Sequence, residues 1–405
     1  MAEPLPAVKR QTNLPQMKPL FILLIITIIS GCQPANDAAA PVTGAERTAD
    51  YLPLLEGKRV AIAANQTTIV GNTHLVDTLL AAGVDVRAIF APEHGFREMA
   101  GAGDPITGGI DEITGVKIIS LYGSKFKPVP EDLQDIDVVI FDIQDVGMRF
   151  YTYISTMHYV MEACAENGIK CIIFDRPNPN GFMIDGPVRE PGFESFVGKH
   201  PVPVSHGMTI GEYALMVNGE GWLAGGVKAD LEVIKCLNYT HATLYDLPIP
   251  PSPNLPNQNS VYLYPSICFF EGTNVSLGRG TDFPFQVFGA PEFEGIYTFS
   301  FTPVSRPAAG NPPHRDVTCY GVDLRDATAK GLVPTGKLDL SRVIEAYNAY
   351  PDKSRFFRGY FDTLAGTRKL REQIEAGMSA EEIRESWQPG VEEFKILRAK
   401  YLLYP

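Results

Sequence analysis

The stretch VVIFDIQD at residues 138–145 decides the fold, because four apolar residues, three of them β-branched, run without alternation up to Asp142. Such a run is typical of a parallel strand that is covered on both faces. Similar runs occur at residues 58–64, 86–91, 117–121 and 170–175. Amphipathic stretches at 73–82 and 153–167 separate them and predict helices. Strand and helix in alternation predict an α/β fold with a right-handed, doubly wound, mostly parallel sheet.

Length and composition predict two domains and exclude several classes of protein. The chain has 405 residues, of which 45% are hydrophobic, and a formal net charge of -12. This length suits two folded domains, and the negative charge argues against nucleic-acid binding, which depends on clustered cations. We predict a first domain at residues 49–225 and a smaller α+β domain at 226–405, since the later part is rich in proline and glycine loops and then in charged helix.

The N-terminal region resembles the signal of a bacterial lipoprotein. Lys9, Arg10 and Lys18 precede an apolar run at residues 20–29 that is too short to span a membrane. The run leads into Ser30-Gly31-Cys32, which resembles a lipobox, although an unmodified Cys32 is the alternative. We therefore predict a signal peptide at 1–31, lipidation at Cys32, a flexible tether at 32–48, and a periplasmic location on the outer membrane. The remaining cysteines are predicted to be buried small side chains.

Polar clusters follow four of the predicted strands. In a doubly wound sheet, ligands bind beyond the carboxyl ends of the strands, so this edge is the predicted site. The chain has no GxGxxG after its first strand, no Walker A sequence and no GxSxG elbow, so no nucleotide cofactor is predicted. The clusters begin at Asn65, Glu93, Asp142 and Asp175.

The cluster after the second strand suits acid–base chemistry. Glu93 stands beside His94 and a glycine turn, with Arg97 two residues further on. Such neighbours can shift the pKa of a carboxyl group towards the working pH and so suit it for proton transfer. A solvated loop with a structural histidine is the alternative interpretation.

The cluster after the fourth strand suits sugar binding, because carboxylates and amides grip hydroxyl groups while aromatic rings cover the apolar face of a sugar. Asp142 and Asp145 as ligands of a divalent cation, or Asp145 in a structural ion pair with Arg149, are alternatives. The cluster contains Asp142, Gln144, Asp145, Arg149, Tyr151 and Tyr153.

Two further segments carry candidate residues. Asp175, Arg176 and Asn178 lie in a proline-stiffened turn that is either a site rim or an ordinary turn. His206 precedes Thr209, a predicted helix N-cap, and either reaches the cleft or belongs to a capped loop.

Several of these motifs, taken together, resemble the exo-β-N-acetylmuramidases of the NamZ type. The resemblance covers about residues 50 to 405 and implies a Rossmann-like catalytic domain, a smaller C-terminal domain that closes a cleft, and no cofactor. It also implies release of N-acetylmuramic acid from the non-reducing ends of peptidoglycan fragments. The motifs are APEHG at 91–95, FDIQDVG at 141–147, RFYTY at 149–153, DRPNP at 175–179, HGMT at 206–209, PSPN at 251–254, EGTN at 271–274 and GRGT at 278–281.

The resemblance assigns roles to individual residues. Glu93 matches the glutamate proposed as catalytic acid or base. A second catalytic glutamate is expected, and Glu162 is the best match, although it lies about 13 Å along its helix from the edge of the sheet. Asp185 is the rival. The predicted substrate-binding residues are Asn65, His94, Arg97, Asp142, Gln144, Asp145, Arg149, Tyr151, Tyr153, Asp175, Arg176, Asn178, Asp185, His206, Asn254 and Arg279.

These observations predict a lipid-anchored glycoside hydrolase that acts on peptidoglycan-derived glycans or muropeptides, without metal, cofactor or nucleic acid. A non-catalytic lipoprotein that binds the same glycans is the alternative. Metal-dependent hydrolysis of another cell-wall bond is a third possibility.

Overall fold

The computed structural model describes residues 1–4, 6–7, 39–97, 101, 106 and 108–405. Cys32 and nearly all of the predicted signal peptide at 1–31 lie outside these residues. Within the described part of the chain, no helix combines the length and the apolar character that crossing a membrane requires.

A seven-stranded sheet forms the centre of the fold, in the order β5-β6-β4-β1-β7-β8-β9. All neighbouring pairs are parallel except β5 with β6. The predicted mostly parallel sheet is therefore confirmed. The strands are β1 (Arg59–Ala64), β2 (Ile69–Val70), β3 (Thr73–His74), β4 (Asp85–Ala91), β5 (Gly109–Ile110), β6 (Lys117–Ser120), β7 (Val138–Asp142), β8 (Lys170–Phe174), β9 (Leu231–Ile234), β10 (Val287–Ala290), β11 (Phe299–Phe301) and β12 (Cys319–Asp323).

Helices cover both faces of this sheet, which is why its central strands are apolar throughout. On β1, Ala61 and Ala63 face the core that α4 and α5 complete, whereas Val60 and Ile62 face the core that α1 and α2 complete. The helices are α1 (Thr48–Leu55), α2 (Leu75–Ala81), α3 (Pro130–Leu133), α4 (Tyr153–Asn167), α5 (Ile210–Gly219), α6 (Gln258–Ile267), α7 (Ser341–Ala349), α8 (Tyr360–Ala365), α9 (Lys369–Glu375) and α10 (Ala380–Arg398).

The helix predicted at 73–82 begins two residues later than expected. Thr73 and His74 instead pair with β2 as the short strand β3. The His74 Nδ1 atom then accepts a hydrogen bond of 3.2 Å from the Val76 N–H and caps α2. Histidine acts here in place of the usual Ser, Thr, Asp or Asn cap.

The predicted tether ends earlier than residue 48, which corrects that expectation. Val42 forms a β-bridge with Leu237, and the Gly44 N–H donates to the Asp175 carbonyl at 2.8 Å. Gly44 allows this approach because a Cβ atom there would lie 2.3 Å from the Ile234 carbonyl oxygen. The chain is therefore packed against the sheet from Val42 onward.

The C-terminal part packs directly on the sheet domain. It contains an antiparallel sheet in the order β10-β12-β11 and the helices α7 to α10. One hydrophobic core runs through both parts, from Phe141 and Met157 to Phe288 and Val391. Strand β9 of the large sheet lies beyond residue 225, and the domain boundary at that residue stays a prediction. All cysteines from Cys164 onward are buried and unpaired, as predicted.

Candidate active site

A cavity of about 390 Å³ lies between the sheet domain and the C-terminal part. Its walls carry two glutamates, one arginine and many aromatic rings. Residues from both parts of the chain line it, namely Glu93, His94, Tyr122, Phe126, Phe150, Tyr151, Thr152, Tyr153, Ser195, Phe196, Val197, Ser252, Asn254, Leu255, Tyr264, Cys268, Glu271, Arg279, Phe285, Tyr360, Thr363 and Leu364.

Glu93 enters the cavity from the turn that follows β4. His94 has a φ of 72° and Gly95 a φ of 89°, so the chain turns sharply at the strand end. A positive φ is uncommon for a residue other than glycine and often marks a functional site. The Thr152 hydroxyl donates to Glu93 Oε2 at 2.8 Å, and His94 Nε2 lies 3.3 Å from Ser252 Oγ. Contacts from two other segments therefore hold this turn.

Glu271 enters the same cavity from the C-terminal part. It lies in the 3-10 helix Cys268–Gly272, and Arg279 Nε donates to its Oε1 at 2.7 Å. Arg279 Nη2 donates to the same oxygen. Gly272 lets this segment approach α8, because a Cβ there would lie 2.3 Å from the Phe361 Cα. Glu271 is thus held as an ion-paired carboxylate.

Two tyrosines line the cavity close to these glutamates. Burial raises the pKa of the Tyr360 hydroxyl, and the charges of Glu271 and Glu93 raise it further. Burial and then the charge of Glu93, with a hydrogen bond to it, raise the pKa of Tyr122. Both hydroxyls therefore stay protonated at neutral pH and can donate hydrogen bonds inside the cavity.

The proline-rich segment at 248–256 forms part of the cavity wall. Tyr151 and Tyr153 donate to the Pro251 carbonyl at 2.8 and 3.3 Å. The Asn65 side chain also donates to the Tyr153 hydroxyl, at 2.9 Å. The tyrosine rings are therefore fixed, as a rigid surface for a ligand requires.

The structure brings some of the predicted site residues together at this cavity, and they come from the strand-end turn, the start of α4 and two later loops. They are Glu93, His94, Tyr151, Tyr153, Asn254 and Arg279.

Most of the other candidates from the strand ends do not line the cavity, because their polar atoms bond to other parts of the protein. Asp142 forms a bidentate ion pair with Arg176, at 2.6 and 2.9 Å. The Gln144 amide donates to the carbonyls of Asp145 and Pro177, and Asp175 accepts from Thr209 Oγ1 at 2.7 Å. Asn65, besides its bond to Tyr153, accepts from Thr67, and Asn178 donates to the Met208 carbonyl.

Four more candidates lie outside the cavity, where they contact other parts of the protein. Arg97 pairs with Asp77 and Asp111. Arg149 donates to four main-chain carbonyls, and so does not form the alternative ion pair with Asp145. Asp185 pairs with Arg384 and accepts from Trp387 Nε1 at 2.8 Å. Burial lowers the pKa of His206 to about 3, so this ring is neutral.

Glu162 lies in a separate buried cluster and does not line the cavity. Lys127 Nζ donates to its Oε1 at 2.9 Å, and the Ala224 N–H donates to its Oε2 at 2.7 Å. His158 Nε2 lies 3.2 Å from the same Oε2. The geometry gives no support to Glu162 as a catalytic group, because Glu162 lies too far along α4 from the edge of the sheet to reach the cavity. Glu271 is the carboxylate that shares the cavity with Glu93.

Four residues that the sequence did not predict as site residues also line the cavity, namely Glu271, Thr152, Tyr122 and Tyr360. Glu271 and Arg279 both lie in motifs that carry the resemblance, eight residues apart. A glutamate followed by Gly272 and an arginine flanked by Gly278 and Gly280 were therefore the available sequence signal for this ion pair. Tyr122 and Tyr360 have no comparable motif, because long-range packing brings them to the cavity.

Asp145 gives a pH-dependent prediction. Burial raises its pKa to about 7, although the Gly147 and Val146 N–H groups lower it. Its Oδ2 is buried, with no hydrogen-bond partner in the described part of the protein. Because the folded protein binds this proton more tightly than the unfolded chain does, stability should fall as the pH rises from about 4 to about 7.

Asp145→Asn should weaken that pH dependence and raise the free energy of unfolding at pH 8 by about 2 kcal/mol. Urea unfolding between pH 4 and 8 measures both quantities. Asp175, whose pKa burial raises to about 6, titrates in the same direction and stays in both proteins. An unchanged slope in the variant would contradict a raised pKa for Asp145 in the folded protein.

The described residues contain no group of three or more His, Cys, Asp or Glu side chains that could hold a metal ion. Both carboxylate oxygens of Asp142, one of the metal ligands considered above, are bonded to Arg176.

Comparisons with known proteins agree with this geometry. The family model for the N-terminal part of the exo-beta-N-acetylmuramidase NamZ matches residues 60–259, and the model for the C-terminal part matches 262–404. The peptidoglycan beta-N-acetylmuramidase NamZ of Bacillus subtilis (strain 168) is 42% identical over 375 residues, which cover 88% of this chain and 89% of that protein.

Two crystal structures of DUF1343 family proteins from Bacteroides fragilis NCTC 9343 have the same fold. The first has 50% sequence identity and a TM-score of 0.84, and the second 32% and 0.76. Each alignment covers 90% of this chain and 99% of the solved chain. The chain belongs to the NamZ family of exo-β-N-acetylmuramidases.

Proposed function

We propose that this protein is an exo-acting glycoside hydrolase that releases N-acetylmuramic acid from the non-reducing ends of peptidoglycan fragments. The relative from Bacillus subtilis, which is 42% identical, is named a peptidoglycan beta-N-acetylmuramidase, and the two matching family models are named for an exo-beta-N-acetylmuramidase. The observation that carries the proposal is the pair Glu93 and Glu271 in one aromatic-lined cavity. Two carboxyl groups on either side of the scissile bond are the usual requirement for glycoside hydrolysis.

Glu93 is the proposed general acid. In this role its carboxyl group protonates the glycosidic oxygen as the bond to the anomeric carbon breaks. Thr152, which donates to Glu93 Oε2, orients the group. The hydroxyl of Tyr122 also forms a hydrogen bond with the same side chain.

Glu271 is the proposed second carboxylate. Its ion pair with Arg279 suits a group that acts in the ionised form. It then attacks the anomeric carbon or activates a water molecule, according to the distance between the two carboxyl groups with a sugar bound. The anomer released first, followed by proton NMR, distinguishes retention from inversion.

Hydrolysis of a defined disaccharide, N-acetylmuramic acid β-linked to N-acetylglucosamine, tests the proposal. The expected result is release of both sugars, and from longer fragments release of the terminal N-acetylmuramic acid alone. Cleavage inside a longer fragment would contradict exo action. Binding of the disaccharide without release of sugar would favour the non-catalytic glycan-binding protein, which the comparisons do not support. Loss of activity in EDTA would favour the metal-dependent alternative.

We also propose that the enzyme is anchored to the outer membrane and faces the periplasm. The support is the sequence alone: an apolar run at 20–29 that leads into Ser30-Gly31-Cys32. Labelling of cells with a radioactive fatty acid should mark the wild type and not Cys32→Ser. Label in both proteins, or in neither, would contradict lipidation at Cys32.

A further inference from the structure

Arg279 has more hydrogen-bonding capacity than its ion pair uses. It is the only lysine or arginine among the described residues that line the cavity. Its Nε and Nη2 atoms donate to a single oxygen, Oε1 of Glu271. Its Nη1 atom is buried and has no hydrogen-bond partner within the described structure. A guanidinium group has five N–H donors and two edges, so one edge holds Glu271 and the Nη1 donors are left unused by the described protein.

The guanidinium is held in place from several sides. The neighbouring Gly278 and Gly280 have φ values of 86° and 82°. A Cβ at Gly278 would lie 2.7 Å from Val287 Cγ2, and a Cβ at Gly280 would lie 2.6 Å from the Val304 carbonyl oxygen, so the loop that carries Arg279 is tightly packed. The Phe285 ring centroid lies 5.0 Å from the guanidinium carbon, a cation–π distance. Because the position is fixed before a ligand arrives, little conformational entropy is lost when an anion binds.

The chemistry of the proposed substrate supplies such an anion. N-Acetylmuramic acid differs from N-acetylglucosamine by a lactyl ether on O3, and this group ends in a carboxylate. The other groups of the sugar are neutral. The cavity contains Glu93 and Glu271, so a third carboxylate would be repelled unless a cation met it. Arginine is the side chain best suited to bind a carboxylate at such a position.

We infer that Arg279 binds the lactyl carboxylate through Nη1 and thereby selects N-acetylmuramic acid over N-acetylglucosamine. This inference rests on the proposed function. Arg279 thus has two tasks: it positions Glu271 through one edge and recognises the substrate through the other. A sugar whose lactyl group is a neutral amide should bind more weakly, because a charge-assisted hydrogen bond is replaced by a neutral one.

Calorimetric binding of free N-acetylmuramic acid and of its lactyl amide tests the inference. The wild type should bind the acid at least tenfold more tightly than the amide. Arg279→Gln should remove most of that difference, and Arg279→Lys should keep part of it. Arg325→Gln is the matched control and should leave the difference intact, because Arg325 also pairs with a carboxylate (Asp323) and stacks on an aromatic ring (Phe283), but lies outside the cavity.

Equal affinities for acid and amide in the wild type would overturn the inference without any variant. A tenfold preference that survives in a folded Arg279→Gln protein would overturn it as well. Failure of the proposed function has a separate signature, namely no turnover of a chromogenic β-N-acetylmuramide by the wild type. Affinity and not turnover is the readout, because Arg279→Gln also releases Glu271.

Discussion

Glu93→Gln is expected to reduce kcat on the muramyl disaccharide by at least about 10³-fold, within the range that general acid catalysis contributes. Glutamine has the same shape and can still accept the hydrogen bond from Thr152, but it cannot protonate the leaving oxygen. Substrate affinity should therefore change little. Steady-state rates and the Kd of the product together separate chemistry from binding.

The leaving group makes this prediction sharper. A nitrophenolate leaves readily without a proton, whereas a sugar alkoxide does not, so the loss in Glu93→Gln should be smaller on the chromogenic muramide. Equal losses on both substrates would contradict the acid role. Glu392→Gln, which removes an exposed carboxylate on α10, is the control and should behave as the wild type.

The same assay decides between the two candidates for the second carboxylate. Glu271→Gln should lose activity by about 10²-fold or more on both substrates, since its role does not depend on the leaving group. Glu162→Gln should keep most of its activity and lose some stability, because it weakens the contacts with Lys127 and the Ala224 N–H. The opposite pattern would restore Glu162 to the catalytic site.

Arg149→Met is expected to lower the free energy of unfolding by about 4 kcal/mol, since buried carbonyls that lose their donor cost about 1–3 kcal/mol each when left unpaired. The guanidinium is fully buried. It donates at 2.7 to 2.9 Å to the carbonyls of Pro187, Val202, Leu364 and Ala365. Methionine has a similar volume and replaces none of these bonds.

Urea unfolding at neutral pH measures this effect. The exposed Arg325 provides the control, and Arg325→Met should cost less than about 1 kcal/mol, as surface ion pairs do. A loss of less than 1 kcal/mol in Arg149→Met would show that water or a rearranged loop satisfies the four carbonyls.

Much of the fold could be predicted because its signals are local. The runs at 86–91 and 138–142 match β4 and β7 to within one residue, and α4 spans the predicted 153–167. A strand that is buried on both faces has no polar positions, and a helix with one apolar face repeats every turn. Both patterns are visible without any knowledge of distant contacts.

The site was less predictable because the C-terminal part covers the edge of the sheet. Asp142 and Asp175 do follow strands, as expected, but Arg176 binds the first, and Thr209 and Tyr404 bind the second. A position at the end of a strand does not by itself show whether a side chain contacts a ligand or forms hydrogen bonds with neighbouring residues. The EGTN and GRGT motifs mark Glu271 and Arg279, but only packing between segments distant in sequence brings Glu271 to the cavity.

The bonds between the two family-matched segments have a practical consequence. Arg149 reaches Leu364 and Ala365, Asp185 reaches Arg384 and Trp387, and Arg398 donates to the His206 and Gly207 carbonyls. Expressed separately, either segment would expose buried charges and main-chain groups that only the other can satisfy. Chimaeras that exchange one segment between relatives should therefore be assembled with these contact residues transferred together.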